Sequence, residues 1–144
     1  MPECIVLGVD FGLRRIGLAI GNTLTGTARA LEIVAAGNDP VAAVTPTIRE
    51  WQPQRIIIGL PLAGDGSETD TSRAVRAFAD RLQAAHPDKA LTLHDERNSS
   101  QVARQHFAEA RREGRARRRE GRRVDALAAA EIVRRWLTER TLPA

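Results

Sequence analysis

Three apolar segments of this chain each carry an acid at one end. Asp10 closes the run "CIVLGVD", Asp95 and Glu96 close "ALTLHDE", and Asp125 lies at the start of "VDALAAAEIV". A lone carboxylate taken out of water is costly or shifts its pKa. Carboxylates that converge repel one another and raise one another's pKa unless a cation lies between them. Hard oxygen ligands of this kind suit Mg²⁺ or Mn²⁺, which keep several waters and also bind substrate phosphates. Taken one at a time, the same acids have a local explanation: Asp125 could cap a helix and Asp10 could bond to a turn. Acids at the ends of three core elements are harder to explain that way. The single cysteine and the lack of paired spacing among His86, His94 and His106 argue against a zinc site. "DGSETD" at 65–70 lacks the alternating ligands and terminal glutamate of an EF-hand.

The elements that must position these acids alternate between strand and helix. Residues 4–10 predict a buried strand, Gly12 to Arg15 a tight turn, and 16–21 and 27–35 two further strands of an antiparallel meander. A helix over 39–51 starts near Asn38 or Asp39 with Pro40 in its first turn. "RIIIGLPL" is a short buried strand running into a loop, "SETDTSRAVRAFADRLQAAH" a helix closed before Pro87, and 90–95 a fifth strand. A helix over 98–113, capped by Asn98 or Ser99, precedes the final helix, expected from about Val124 to Arg140. On a helical wheel Asp125 falls with Ala129, Ile132, Val133 and Trp136, opposite Glu131, Arg134, Arg135 and Thr138. The expected fold class is therefore α/β, five strands with helices against them. Strand ends are where α/β sheets place ligands.

With 144 residues the chain has room for one domain, 1–144, and no repeat or linker divides it. Cys4 is its only cysteine and lies in an apolar run, which excludes a disulfide framework and points to a reducing, cytoplasmic compartment. No apolar run approaches the roughly 18 to 20 residues of a membrane span, and the N-terminus lacks a secretory pattern, so no membrane association is expected. The formal charge of +4 hides an asymmetry. Residues 104–123, "RQHFAEARREGRARRREGRR", hold nine Arg against three Glu. The remainder of the chain is slightly acidic. A basic flexible segment is expected over about 113–123, where Gly114 and Gly121 interrupt the run. Arginine's forked guanidinium pairs bidentately with phosphate. An arginine run leading into a candidate metal site suits a polyanion, and phosphate contacts supply affinity and salt dependence rather than sequence reading.

"GVDFGLRRIGLAIGN", "IIIGLPLAGDGS", "DERNSS" and "VDALAAAEIV" together resemble, in order and spacing, the four signature segments of the YqgF (RuvX, RuvC-like) family. The resemblance spans almost the whole chain. It implies an RNase H-like fold, a central five-stranded mixed sheet of three antiparallel N-terminal strands plus two further parallel strands. The family is assigned as a pre-16S rRNA nuclease related to Holliday-junction resolvases. Carried over residue by residue, Asp10, Glu96 and Asp125 match the catalytic, metal-binding triad, and Asp95 and Arg97 flank it as supporting residues. Where the family commonly has a larger apolar residue and a threonine after DER, this chain has Asn98, Ser99 and Ser100.

The activity so implied is metal-dependent hydrolysis of phosphodiester bonds, with Mg²⁺ or Mn²⁺ held by the three acids. The expected substrate is nucleic acid: structured or single-stranded RNA in 5′-end processing of pre-16S rRNA, with branched DNA the alternative. Junction cleavage would call for a homodimer with two sites about a two-fold axis. A non-catalytic RNA-binding assembly factor is the second alternative. Arg14, Arg15, Arg115, Arg117, Arg118, Arg119, Arg122 and Arg123 are the candidate phosphate contacts. His94 precedes Asp95 on a strand and so lies on the opposite face, which favours a structural role over a proton shuttle. "VDFG" is similar to the metal-binding motif of protein kinases, but no lysine precedes Lys89 and there is no HRD-type loop. A sugar-kinase or actin-type ATPase needs a second lobe that this length does not hold.

Overall fold

The computed structural model describes residues 4–96 and 118–141, with 118–125 and 141 described by backbone alone. Five strands form one mixed sheet: β1 Ile5–Phe11, β2 Arg15–Asn22, β3 Thr27–Ala35, β4 Arg55–Leu60 and β5 Ala90–Asp95, in the order β3-β2-β1-β4-β5. β1, β2 and β3 pair antiparallel, while β4 and β5 join parallel to β1 and to each other. Three helices are described: α1 Pro40–Trp51, α2 Asp70–Ala85 and α3 Arg118–Thr141. This is the expected mixed sheet. The expected helix over 98–113 lies outside the described residues.

Period-two alternation divides the sheet into two unlike faces. Leu7, Val9, Ile16, Leu18, Ile20, Ile56, Ile58 and Leu60 make one face with α1 and α2, meeting Val44, Ile48, Val75, Phe78 and Leu82. The opposite face offers Val6, Ala19 and Ile57 to Ala129, Ala130, Ile132, Val133 and Leu137 of α3. The glycines of that face let the helix approach closely. A Cβ on Gly8 would lie 2.3 Å from Val133 Cγ2 and 2.8 Å from the Ala129 carbonyl oxygen, and one on Gly21 would lie 2.4 Å from Val133 Cγ1.

Local chemistry sets the helix ends. The Asp39 side chain accepts from Ala42 N and caps α1, which then begins on Pro40. α2 starts later than the sequence pattern indicated. Asp65 takes the Ser67 N–H and hydroxyl into its own turn, and Thr69 and Ser72 form a reciprocal capping box. The described part of α3 begins at Arg118, ahead of the start expected near Val124. Arg and Glu are good helix formers, and one interior glycine, Gly121, costs only about 1 kcal/mol. Residues 113–117 lie outside the described residues. Trp136 packs against the α3 core but is half-buried, with the Arg55 and Arg140 guanidiniums 5.6 and 5.0 Å from its ring centroid.

Candidate active site

Alternation along β1 puts Asp10 on the same face as Val6 and Gly8, the face that α3 covers. β1 is the central strand, flanked by β2 and β4, so Asp10 is held by pairing on a rigid element opposite Gly17. Glu96 follows β5, and its N–H donates to the Leu60 carbonyl at 3.0 Å, extending the pairing with β4 one residue past the strand. Asp10 and Glu96 thereby line one cleft at the strand ends, with Gly59 and Pro61 from β4 and its loop and Ala128 and Ile132 from α3. The cleft measures about 320 Å³ out to its open mouth. Phe11 completes its wall and stacks on Phe78, ring centroids 4.5 Å apart. Gly59 is small for a reason. A Cβ there would lie 2.6 Å from Ile132 Cδ1 and 3.0 Å from Glu96 Cγ.

The Glu96 carboxylate is only 4% exposed and does not stand alone. His94, two residues earlier and buried, brings Nδ1 to 2.5 Å from Glu96 Oε1. Its Nε2 lies 2.6 Å from Glu139 Oε2 on α3. Ionised carboxylates only accept, so a ring serving two of them has an N–H on each nitrogen, which is the imidazolium form. The Glu96 hydrogen bond is the chief cause that raises the His94 pKa above its ordinary value; burial opposes it, and Glu139 adds to it. His94 is therefore a buried bridge between strand and helix.

Asp125 is part of α3, about two turns inside its start at Arg118. A helix cap is thus no explanation of this acid. It stands one turn before Ala128, on the helix whose Ala128 and Ile132 line the cleft. The side chain of Asp125 is outside the described residues, and among the described ones no group of three His, Cys, Asp or Glu is arranged to hold an ion. Two carboxylates do share the cleft, and hard oxygen donors are the set that Mg²⁺ or Mn²⁺ prefers.

A family model described as RuvX, Holliday junction resolvase, matches residues 4–139. The chain belongs to the RuvX family. A protein of Xanthomonas campestris pv. campestris named "Putative pre-16S rRNA nuclease" is 41% identical over 140 residues, 95% of this chain and 89% of its own length. A protein of the same name from Xanthomonas oryzae pv. oryzae matches equally, 41% over 140 residues. Among solved structures, Thermus thermophilus RuvC in complex with a Holliday junction substrate superposes with a TM-score of 0.56 at 17% identity, covering 96% of each chain. The fowlpox virus resolvase with Holliday junction DNA gives 0.58 at 12% identity, covering 96% of this chain and 99% of that one. At such identities these two establish the fold, which is RNase H-like.

Not every predicted site residue of this RuvX-family chain reaches the cleft. Asp95 ends β5 opposite Leu60 and is half-buried, but it is not among the cleft-lining residues. Arg14 lies in the turn that follows β1 and Arg15 opens β2 rather than closing that turn; both are exposed and flank the strand end that carries Asp10. Arg97, Arg115 and Arg117 lie outside the described residues, and Arg118, Arg119, Arg122 and Arg123 fall within the first turns of α3. No described helix is long and apolar enough to cross a membrane. Glu139 is the residue that sequence reasoning missed. It continues the row of Ile132 and Trp136 along α3, a second acid on the apolar side of the helix, and that spacing was its available signal.

Proposed function

We propose that this RuvX-family chain is a divalent-metal-dependent nuclease that hydrolyses phosphodiester bonds of RNA, acting in the cytoplasm on the 5′ end of pre-16S rRNA during ribosome biogenesis. The observation that carries the reading is the convergence of Asp10 and Glu96, from the ends of two different strands, on one cleft walled by the helix that bears Asp125. The names of the curated relatives support RNA as the substrate. Asp10, Glu96 and Asp125 would hold Mg²⁺ or Mn²⁺, which when bound activates a water and neutralises charge on the scissile phosphate.

The chain's own residues supply placement and charge. Asp10 sits near the end of the central strand, where its backbone pairs with Gly17 of β2, and Glu96 is held by His94. Arg14 and Arg15 at the cleft end of β1, with the basic residues Arg115, Arg117, Arg118, Arg119, Arg122 and Arg123 ahead of Asp125, would steer the phosphate backbone across the site. Arg97 and Asp95 would support Glu96 from its flanks. The domain so assembled spans 1–144.

A second reading is favoured by the whole-length likeness to two junction-binding resolvases. Cutting a four-way DNA junction symmetrically would require two copies related by a two-fold axis. One experiment decides among the readings: wild type and Asp125→Asn are assayed with Mg²⁺, Mn²⁺ or EDTA on single-stranded RNA, a ribosomal RNA precursor fragment and a four-way DNA junction. Metal-dependent cutting of the precursor, lost in the variant, is the expected result. Preference for the junction by a dimer would replace RNA processing with resolution. Binding without cutting would make the chain a non-catalytic RNA-binding factor.

A further inference from the structure

We propose that Glu139 is a positioning residue for the cleft, holding the Glu96 carboxylate beside Asp10 through the buried imidazole of His94. This rests on the reading of the cleft as a metal-dependent nuclease site.

Glu96 lies past the last residue of β5, and its described sheet bond fixes only its backbone, through Leu60 O. Its side chain is held in one rotamer by its partners, of which His94 is one. His94 reaches it from the same strand at 2.5 Å, because residues two apart share a face. A ring gripped at one nitrogen can still swing about its own side-chain torsions. Glu139 grips the other nitrogen at 2.6 Å from across the helix-to-sheet interface. The His94 side chain is 9% exposed and that of Glu96 5%, whereas that of Glu139 is 55% exposed and does not line the cleft. Glu139 therefore acts through His94 and not on the substrate. α3 is thereby linked to Glu96 through His94, its Ile132 lines the same cleft as Glu96, and the same helix carries Asp125 about four turns before Glu139. Hydrogen-bond partners one step behind a metal-binding side chain, here His94, commonly govern about 10- to 100-fold in metal affinity or activity, and Glu139, one step further back, falls at the low end of that range.

The test uses the full chain, with Mn²⁺ binding followed by electron paramagnetic resonance and cleavage of an RNA substrate followed alongside. Glu139→Ala should weaken Mn²⁺ binding by up to about 10-fold and lower kcat with little change in KM. Glu139→Gln should stay near wild type, because its amide oxygen still accepts from Nε2. His94→Asn retains an N–H near the Nδ1 position but cannot reach Glu139, so adding Glu139→Ala to it should cost nothing further. Unchanged Mn²⁺ affinity and kcat in Glu139→Ala, with only a lower Tm, would reduce the bridge to a tie between helix and strand and overturn the proposal. So would a Glu139→Ala effect that persists undiminished in the His94→Asn background. A wild type that neither binds Mn²⁺ nor cuts would sink the nuclease reading and this proposal together, whereas a wild type that does both beside a silent Glu139→Ala sinks this proposal alone.

Discussion

Gly59→Ala separates the stability of the cleft from its chemistry. The added Cβ would lie 2.6 Å from Ile132 Cδ1, 3.2 Å from Ile132 Cγ1 and 3.0 Å from Glu96 Cγ. Ile132 is 2% exposed and Glu96 4%, so neither can yield by moving into solvent. Overpacking of this kind costs about 1–3 kcal/mol, or about 3–10 °C in Tm for a chain of this size. The displacement also falls on Glu96, and misplacing a reacting group by about 1 Å can cost on the order of 100-fold in rate. Ile132→Val removes the Cδ1 that makes the closest contact. Added to Gly59→Ala, it should recover much of the lost Tm while leaving the contact with Glu96 Cγ in place. Thermal melts would therefore show a partial rescue, and Mn²⁺ titration and kcat none. Recovery of stability and activity together would mean that Glu96 is not displaced by the methyl group. A Gly59→Ala protein with wild-type Tm would refute the close approach of α3 to β4 itself.

Three further outcomes are expected. Asp10→Asn should abolish cleavage while circular dichroism and Tm stay near wild type, because only the charge at the strand end changes; an active Asp10→Asn protein would remove Asp10 from the reaction. Replacing Arg117, Arg118 and Arg119 together with Gln should weaken RNA binding and reduce the slope of log affinity against log salt by up to about 2, at roughly 0.7 for each phosphate of a single strand that is no longer neutralised. An unchanged slope would return these arginines to solvated surface. The raised His94 pKa ties folding to pH. A group whose pKa is higher folded than unfolded contributes stability that is fully present below its unfolded value, about 6.5, and is lost as pH rises through the folded value. In EDTA, wild-type Tm should therefore fall between acidic and alkaline buffer by more than that of His94→Asn, and parallel curves for the two proteins would contradict the charged bridge.

Much of this was readable in the residues. The strands announce themselves because β1, β2 and β4 are buried on both faces; Asp10 stands out as an acid near the end of such a run, and Glu96 as one that follows the less buried β5. The start of α3 was not readable. The arginine run with Gly121 looks like a solvated loop, yet Arg and Glu are strong helix formers, and the segment is continuous with the amphipathic helix that packs on the sheet. The bridge from His94 to Glu139 spans 45 residues of sequence and depends on how α3 lies against the sheet, which no local pattern encodes. Period two does distinguish Gly8, Ala19, Gly21 and Gly59 from their large neighbours, but small residues in a buried strand indicate only that something approaches, not what does.

What approaches is the helix that bears the third acid, and this gives the two faces of the sheet different work. On the α1 and α2 side, Leu, Ile, Val and Phe fill the interface and set the distance between layers by their own bulk. On the α3 side, glycine lets the backbone of the helix come so near that a Gly8 Cβ would meet the Ala129 carbonyl. Glycine inside a strand costs roughly 0.5–1 kcal/mol relative to alanine, so that face gives up stability to place a rigid helix against the strand ends. The consequence is measurable. Leu82→Ala, on the first face and away from the cleft, should cost about 2–5 kcal/mol and leave Mn²⁺ affinity little changed below the new Tm. Gly8→Ala should lower both, because α3 can relieve a clash with its own backbone only by moving Asp125, Ile132 and Glu139 together.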